Sequence, residues 1–277
     1  MATRLSLIQK IIAYGSLAAL ALFILFPVYF MAITSLKTVR DIYRLPSLLP
    51  VNPTLINYEQ LIGTWKFLDA IRNSLIVASA TTLVSVFISA LAAYSLVRLR
   101  YKFRNWAGRL IMFSYLTPSS LLFIPLAVIV AQLGISNTHQ GLIFVYLTFS
   151  APLSTWLLMG YFRGIPVDYD EQAMVDGCTR LGAFFRVVLP LSVPGLIACS
   201  VFTFTGAWNE LLLSLIFITD PALRTVPVAV SYLITGDTVR MGLIMAASIV
   251  SALPIMILYF IAQRFVVQGL GAGGVKA

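Results

Sequence analysis

The chain has 277 residues, of which 60% are hydrophobic and only 10% are charged, and its mean hydropathy is +0.94. Soluble domains carry roughly 25% charged residues, so this composition excludes a soluble globular protein and indicates an integral membrane protein. The net charge of +9 comes from basic residues that gather at the ends of apolar runs. That placement is typical of membrane topology and lipid contact, so we predict membrane lipid as a partner and no nucleic acid. Cys178 and Cys199 lack the spacing of a metal site or a disulfide, so no metal is predicted.

Six long apolar runs predict an all-α, polytopic membrane protein with six transmembrane helices. Between Lys10 and Lys37 lie 26 uncharged residues, more than the roughly 20 that cross a bilayer. A cleaved signal peptide has an apolar core of only about 7–15 residues, so we predict a retained first helix over 12–34. The other predicted spans cover 73–97, two helices within 110–162 that turn at 134–138, 191–216 and 241–263.

The chain divides after the first span and its following loop. Residues 1–69 hold the first transmembrane helix and a polar, proline-bearing external loop, in which a short interfacial helix is predicted over 58–63. Residues 70–277 hold the other five helices, the loop 163–187 and a glycine-rich C-terminal tail. The tail, 268–277, is predicted to be either a floppy end or a segment that contacts a partner protein.

The distribution of Lys and Arg predicts the orientation of these spans. Six spans place both termini on the same side of the membrane. The short segment 98–109 has five basic residues, whereas 133–140 on the other side has none. The positive-inside rule therefore predicts that both termini, the C-terminal tail and the loop 163–187 are cytoplasmic.

The loop 163–187, hereafter the acidic loop, holds four of the ten carboxylates of the chain: Asp168, Asp170, Glu171 and Asp176. Asp168 and Glu171 have the spacing of a capping box, and Gly177 suits the left-handed residue that ends a helix, which predicts a helix over 169–176. The loop is either a solvated connector or a docking element. Connections between helices usually have about two to eight residues, so the length of this one favours docking.

A second short helix is predicted after Thr179, whose side chain suits an N-cap. Its apolar residues recur at i, i+3, i+4 and i+7, which predicts one packing stripe: Leu181, Phe184, Phe185 and Val188. Pro190 marks a break or a new start, because proline lacks the N–H that a helix interior needs. The stripe must pack either on the protein's own spans or on another protein.

The acidic loop also resembles a known motif. Glu171-Gln172-Ala173 is followed by Gly177, then after nine further residues by Val187, and then by Leu189-Pro190. This is similar to the EAA loop of bacterial ATP-binding-cassette (ABC) importer permeases, which runs Glu-Ala-Ala, three residues, Gly, nine residues, Ile, one residue, Leu-Pro. Gln172 and Val187 depart from that pattern.

Other segments resemble the carbohydrate-type branch of these permeases, the relatives of the smaller permease subunit of the maltose importer. They are Asn57-Tyr58, Gly134 with Asn137-Thr138, Trp156, Asp176-Gly177, Trp208-Asn209-Glu210 and Phe265-Val266-Val267-Gln268-Gly269. The resemblance covers nearly the whole chain. It implies that 70–277 is an ABC permease transmembrane domain with a coupling (EAA) helix between spans four and five, in a multi-pass protein of the bacterial cytoplasmic (inner) membrane.

The resemblance implies a transport complex that works by alternating access. A second permease subunit forms a hetero-dimer with this chain, and a dimeric cytoplasmic ABC ATPase receives the EAA helices. An extracytoplasmic binding protein delivers a sugar; a di- or oligosaccharide is favoured, and glycerol-3-phosphate-type substrates stay open. This chain has no G-x-x-x-x-G-K-[ST] phosphate loop. It is therefore expected to be no enzyme and to hold no cofactor, with ATP and Mg on the partner ATPase. The implied ATPase-coupling residues are Glu171, Ala173, Asp176, Gly177, Leu189 and Pro190.

Glu210 is the one carboxylate inside a predicted span, where a charge costs at least about 2.5–3.5 kcal/mol. In one interpretation its side chain reaches the outer interface and Trp208 anchors the membrane boundary. In the other, Trp208, Asn209 and Glu210 line the substrate path, because sugar recognition needs hydroxyl-binding polar groups beside an apolar face. The sequence leaves both open.

Two other classes of protein fit the sequence less well. A stand-alone secondary transporter or channel for a small polar solute tends to show internal repeats or several intramembrane ionisable groups, whereas Glu210 is alone and no clear repeat is visible. An intramembrane enzyme needs a nucleophile–base pair or metal ligands, and the G-x-S-x-G motif is missing. Co-isolation with an ATPase distinguishes the importer from ion-driven uptake by this chain alone.

Overall fold

The computed structural model describes residues 6–44, 48–50, 52–234 and 240–273, and this part of the chain contains helices and no β-strand. In chain order the helices are α1 (Leu7–Ser35), α2 (Val39–Arg44), α3 (Ile56–Gly63), α4 (Phe67–Arg98), α5 (Arg104–Leu116), α6 (Ser119–Gln132), α7 (His139–Arg163), α8 (Asp168–Val175), α9 (Arg180–Ala183), α10 (Leu189–Leu191), α11 (Val193–Asn209), α12 (Leu212–Phe217), α13 (Val226–Tyr232) and α14 (Met241–Gly273). A π-helical turn, Phe184–Val188, joins α9 to α10.

Four helices are long and apolar enough to cross a bilayer without a break, namely α1, α4, α7 and the Met241–Phe265 part of α14. Two further spans are bent pairs. Helices α5 and α6 meet at 102°, and the segment Arg180–Leu191 meets α11 at 77°. With each bent pair counted as one span, the described residues contain six, which confirms the predicted all-α architecture with six transmembrane helices.

The bend in the third span lies at Thr117 and Pro118. Thr117 is extended, with φ −73° and ψ 123°, because the ring of a following proline disfavours the helical conformation. Pro118 also lacks the N–H that would continue the hydrogen bonds of α5. The two halves have 13 and 14 residues. At about 1.5 Å per residue each is about 20 Å long, so neither crosses the ~30 Å bilayer core alone.

The fifth span begins and ends earlier in the chain than the predicted 191–216, and it is more broken. Ser192, with φ −91° and ψ 0°, lies at the bend before α11, and its hydroxyl donates to the carbonyl of Val188 at 2.6 Å. Helix α11 then ends at Asn209, and Glu210 is extended, with φ −72° and ψ 113°. Hydropathy missed this break because Glu210 is the one charged residue in a long apolar run.

Residues 1–67 and 230–253 form one compact unit. The predicted interfacial helix is present in it as α3. Asn57 is buried and donates from Nδ2 to the carbonyl oxygens of Ser35 and Lys37, at 2.8 and 2.9 Å. The hydroxyl of Tyr58 lies 2.8 Å from Oγ of Ser35. These bonds tie α3 to the end of α1.

Residues 68–229 and 254–277 form a second compact unit, which contains two apolar clusters. One cluster joins α4, α6, α7 and α12 around Val145 and Tyr146. The other joins the ends of α4 and α7 to α11 and to the acidic loop, with Phe162 and Phe184 at its centre. The second cluster therefore positions the acidic loop on the spans.

The backbone of α14 remains helical through Gly273, so most of the tail predicted as a floppy end is helical. Glycine disfavours a helix by only about 1 kcal/mol relative to alanine, which a continuing helix tolerates. Residues 274–277 lie outside the described residues.

Candidate functional site

The acidic loop contains a short helix where the sequence predicts one. Helix α8 covers Asp168–Val175, one residue from the predicted 169–176. The predicted capping box is wrong, because Val167 occupies the N-cap position and no side chain caps the helix. The carbonyl of Val167 accepts the N–H groups of Asp170 and Glu171, at 2.9 and 3.2 Å, so the helix begins earlier than the box requires. The acidic first turn still suits the positive end of the helix dipole.

Asp170 anchors α8 to the second span. Its Oδ2 lies 2.9 Å from Nε of Arg98, and both side chains are only 6% exposed. Its Oδ1 accepts a hydrogen bond from the hydroxyl of Tyr94 at 2.9 Å. The Nε–Oδ2 contact is a close ion pair rather than an aligned hydrogen bond, and neither atom has another partner among the residues that the structure describes. A buried charge is tolerated when it is paired in this way, and loss of one partner leaves the other uncompensated.

Arg98 and Tyr94 also hold the backbone on both sides of α8. A second guanidinium nitrogen of Arg98, Nη2, donates to the carbonyl of Ile165 at 2.6 Å. The hydroxyl of Tyr94 lies 3.4 Å from the carbonyl of Arg180, and the Tyr94 ring packs on Phe184 with centroids 4.8 Å apart. The acidic loop is thus fixed to α4 before and after its helix.

The residues predicted for coupling lie on opposite faces of α8 and beyond its end. Ala173 is buried, whereas Glu171 and Asp176 are exposed. Gly177 has φ +90°, the left-handed conformation predicted for the end of this helix. The loop therefore presents an exposed acidic face on a helix whose other face is packed against the protein.

The residues after Gly177 follow the prediction in part. Thr179 caps α9 as predicted, because its Oγ1 accepts the N–H of Gly182 at 3.1 Å. Leu189 is half-buried and packs against the Phe184 cluster, while Pro190 is exposed within α10. Proline is accepted in the first turn of a helix, where its missing N–H has no partner in any case.

The predicted apolar stripe is wrong as a single packing face. Phe184 and Val188 are buried, but Leu181 is 61% and Phe185 is 45% exposed. The buried face runs through Ala183, Phe184 and Val188, whereas Leu181 and Phe185, four residues apart, lie beside it on an exposed face. A π-helical turn follows, in which the N–H of Leu189 bonds to the carbonyl of Phe184. Two side chains pack on the spans and two stay exposed.

The structure separates the three residues predicted for a substrate path. Trp208 is 2% exposed and stacks on Phe204 at 5.7 Å, so it is a core residue and no membrane-boundary anchor. Asn209 is exposed, and its Nδ2 donates back to the carbonyl of Thr205. Of the three, Glu210 alone lines a cavity of about 310 Å³.

The Glu210 cavity lies where two helix interruptions meet. Thr117 and Ser119 flank the bend between α5 and α6, and Glu210 separates α11 from α12. Oε1 of Glu210 accepts the N–H of Leu213 at 3.0 Å, so this carboxylate caps the start of α12. Seven hydroxyl-bearing residues share the lining: Thr81, Tyr115, Thr117, Ser119, Tyr146, Ser150 and Thr203.

Two of these hydroxyl groups are buried without a hydrogen-bond partner in the described part of the chain, namely Oγ1 of Thr81 and Oγ of Ser150. An unsatisfied buried polar group costs about 1–3 kcal/mol, so such groups call for a partner. Since both residues line the Glu210 cavity, a hydroxylated ligand or water inside it can supply the missing bonds.

Sequence reasoning missed the residues that hold α8 in place. Arg98 was attributed to membrane topology, and neither Tyr94 nor Asp170 entered the predicted coupling set. One signal was available, because Asp170 and Ala173 are three residues apart and so share a helix face. If the alanine packs against the protein, the carboxylate on the same helix face is buried too, and a buried carboxylate needs a partner.

Residues 68–271 match the family described as the binding-protein-dependent transport system inner membrane component. The chain is a member of this family. The permease is 38% identical over 279 residues to the inner membrane ABC transporter permease protein YcjP of Escherichia coli K12, with 100% of both chains covered. It is 40% identical over 253 residues to the sulfoquinovosyl glycerol transport system permease protein SmoH of Agrobacterium fabrum, covering 91% and 89% of the two chains. It is 34% identical over 277 residues to the trehalose/maltose transport system permease protein MalG of Thermococcus litoralis, covering 99% of each.

Two solved structures show the same fold. One is a bacterial ABC transporter involved in the import of the acidic polysaccharide alginate, with a TM-score of 0.78, 20% identity and coverage of 94% of the permease and 96% of that chain. The other is a bacterial alginate ABC transporter in complex with an alginate pentasaccharide-bound periplasmic protein, with a TM-score of 0.69, 15% identity and coverage of 92% and 95%. The predicted kinship with carbohydrate-type ABC permeases is confirmed. The permease is a multi-pass inner-membrane transport protein, and its family is not one of enzymes.

Proposed function

We propose that the permease is one membrane subunit of an ATP-driven sugar importer, and that α8, hereafter the coupling helix, transmits motion from a separate ATPase. The observation that carries this proposal is that one face of the coupling helix is anchored to the protein while the opposite face is exposed. Asp170 is buried against Arg98 and Tyr94, while Glu171 and Asp176 are open to solvent. A helix held in this way is displaced as a rigid body when a partner pushes it.

The exposed side of the acidic loop also has the apolar surface that a docking partner needs. Val175 is 87% exposed and ends the coupling helix, and Leu181 and Phe185 are exposed after Gly177. Exposed apolar groups rimmed by charged ones are typical of protein interaction sites. We assign the ATPase contact to these residues together with Glu171, Asp176 and Gly177, with Leu189 and Pro190 at its far end. Ala173 is buried, so we propose that it contributes by seating the coupling helix closely on the protein.

Motion of the coupling helix is expected to reach three spans. Arg98 and Tyr94 belong to α4, and Phe184 of the acidic loop shares one cluster with Phe162 at the end of α7 and Cys199 in α11. Protein interiors are densely packed and transmit displacement rather than absorb it. Movement of the loop would therefore tilt spans two, four and five together, which is the motion that alternating access requires.

The proposed complex contains four kinds of component. This permease and a second permease subunit form a hetero-dimer, a dimeric cytoplasmic ABC ATPase holds ATP and Mg, and an extracytoplasmic sugar-binding protein delivers the solute. The family description supports the binding protein. The five basic residues at 98–109 support an orientation with both termini and the acidic loop in the cytoplasm.

The proposed substrate is a di- or oligosaccharide. The names of the relatives from Thermococcus litoralis and Agrobacterium fabrum, a trehalose/maltose and a sulfoquinovosyl glycerol permease, support a sugar-containing solute. The Glu210 cavity, at about 310 Å³, is at the small end of the usual range for ligand pockets. We propose that it forms this subunit's part of the solute path, with hydroxyl groups and tyrosine rings facing the sugar. Trp208 and Asn209 lie outside it.

Cross-linking tests the coupling assignment. In a background of Cys178→Ser and Cys199→Ala, a single cysteine is placed by Val175→Cys on the coupling helix. The matched control is Lys102→Cys, at an exposed position on the same predicted side of the membrane but outside the acidic loop. We expect the first variant to form a cross-link with a co-isolated ATPase and the control to form none. Isolation without any ATPase, together with ion-driven sugar uptake by this chain alone, would contradict the proposal.

A further inference from the structure

A large groove of about 570 Å³ lies at the ends of α4, α5 and α7. Three arginines line it, Arg104, Arg109 and Arg163, and no carboxylate does. Trp156 and Leu157 contribute an apolar wall. We call this site the arginine groove; Glu171 and the other residues assigned to the ATPase contact are not part of its lining.

We propose that the arginine groove binds the phosphate headgroup of an anionic phospholipid, with the acyl chains along the apolar wall. The side chains of Arg109 and Arg163 make neither an ion pair nor a hydrogen bond in the described residues. The Arg104 side chain makes one long contact, 3.4 Å from Nη1 to the carbonyl of Leu99. Three guanidinium groups without counter-charges form a strongly positive site. The planar fork of a guanidinium matches the oxygens of a phosphate.

The position of the groove favours a lipid over a soluble anion. The arginines lie at the ends of membrane spans, on the side that the distribution of basic residues places in the cytoplasm. Basic pockets between transmembrane helices on that side suit lipid headgroups. Phe103, Trp106 and Phe113, in α5 or next to it, are all more than 60% exposed and add an apolar surface that lipid chains can contact. A soluble phosphate compound would leave this apolar surface uncovered, whereas the acyl chains of a lipid would cover it.

Gly160 opens the groove. A Cβ added at Gly160 in α7 would meet no atom within 4 Å, so the space beside this glycine is empty. Glycine inside a helix costs up to about 1 kcal/mol relative to alanine, and here it leaves room between α5 and α7. A bulky side chain at this position would occupy the groove without changing its charge. A variant of this kind therefore distinguishes the effect of lost space from the effect of lost charge.

Fluorescence quenching in nanodiscs tests the inference. The full-length permease, extracted with its bound subunits, is placed in phosphatidylcholine discs that contain a small fraction of brominated phosphatidylglycerol or, in parallel, brominated phosphatidylcholine. The signal of Trp156 is the difference between the wild type and Trp156→Phe. We expect brominated phosphatidylglycerol to quench this signal at about fivefold lower concentration for each arginine that contributes.

Three variants supply the controls. Arg109→Gln with Arg163→Gln removes charge, and Gly160→Phe removes space; both are expected to abolish the preference for phosphatidylglycerol. Lys102→Gln removes a nearby exposed charge outside the groove and is expected to leave the preference unchanged. Equal quenching by both lipids in the wild type would overturn the proposal. The proposal would also be overturned if Lys102→Gln lost the preference for phosphatidylglycerol to the same extent. It would be overturned too if a bound subunit protected Trp156 from quenching by both lipids.

Discussion

The coupling helix and the Glu210 cavity are two polar regions in an apolar protein, and they differ in whether their buried polar groups have partners. At the coupling helix, both carboxylate oxygens of Asp170 lie 2.9 Å from a partner group. In the cavity, Oγ1 of Thr81 and Oγ of Ser150 have no partner in the described residues. A carboxylate held by an ion pair and a hydrogen bond keeps one geometry, whereas hydroxyl groups without a partner leave capacity for a ligand. The first region is therefore suited to transmit a motion and the second to receive a solute.

The largest effect is expected from removing one half of the buried ion pair. Arg98→Met leaves the carboxylate of Asp170 buried without its counter-charge, which typically costs about 3–5 kcal/mol. We expect a large drop in the melting temperature of the purified permease and the loss of substrate-stimulated ATP hydrolysis in the complex. Lys102→Met, at an exposed position four residues later, is the matched control and should change neither.

A double variant separates charge imbalance from a general loss of packing. Arg98→Met combined with Asp170→Leu removes both charges, and we expect it to recover much of the stability lost in Arg98→Met alone. Coupling should stay impaired, because the loop loses its polar ties to α4. If the single variant is as stable as the wild type, Asp170 is not an anchor.

A smaller effect is expected at the turn after the coupling helix. Gly177 has φ +90°, and a residue with a Cβ pays about 1–2 kcal/mol in the left-handed region. Gly177→Val should lower the melting temperature and weaken ATPase stimulation. Gly15→Ala is the control, because Gly15 lies inside α1, outside both proposed sites, with open space around it. It should be neutral or stabilising, and equal losses in both variants would refute the assigned role of the turn.

A somewhat smaller loss of stability is expected at the helix break beside the cavity. Glu210→Ala removes the acceptor for the N–H of Leu213, and loss of a cap typically costs about 1 kcal/mol. Glu210→Gln keeps an oxygen that can accept this bond and should retain the melting temperature. A melting temperature equally low in both variants would show that the charge, rather than the cap, stabilises this segment.

The smallest effect on stability is expected from the unpartnered hydroxyl of the cavity. Thr81→Val deletes an unsatisfied buried group and should leave the melting temperature unchanged or raise it. The proposed contact with the sugar is lost, so the KM for uptake should rise about two- to tenfold, the usual worth of one hydrogen bond. Thr82→Val is the control, because Oγ1 of Thr82 already donates to the carbonyl of Ala78 at 2.7 Å. Unchanged uptake kinetics in Thr81→Val would argue against a solute at this position.

Local patterns predicted the parts of the acidic loop that depend on neighbouring residues. The extent of the coupling helix, the left-handed turn at Gly177 and the cap at Thr179 all follow from residues within four positions of one another. The capping box was predicted wrongly because Val167 occupies the N-cap position, so Asp168 already lies in the first turn of the helix. The apolar stripe failed because the packing buries Ala183, Phe184 and Val188 and leaves the neighbouring Leu181 and Phe185 exposed, which the apolar pattern alone does not distinguish.

The sequence by itself determined the number of spans, the loop between spans four and five, and the family. Hydropathy and motif spacing depend only on residues that are close together along the chain. Only the tertiary structure decided that Asp170 meets Tyr94, 76 residues away, and that Trp208 is buried while Glu210 lines a cavity. Both outcomes depend on which helix faces meet after packing. Since buried charges and hydroxyl groups are stable only with a partner, the site is decided by contacts between distant segments that no local pattern contains.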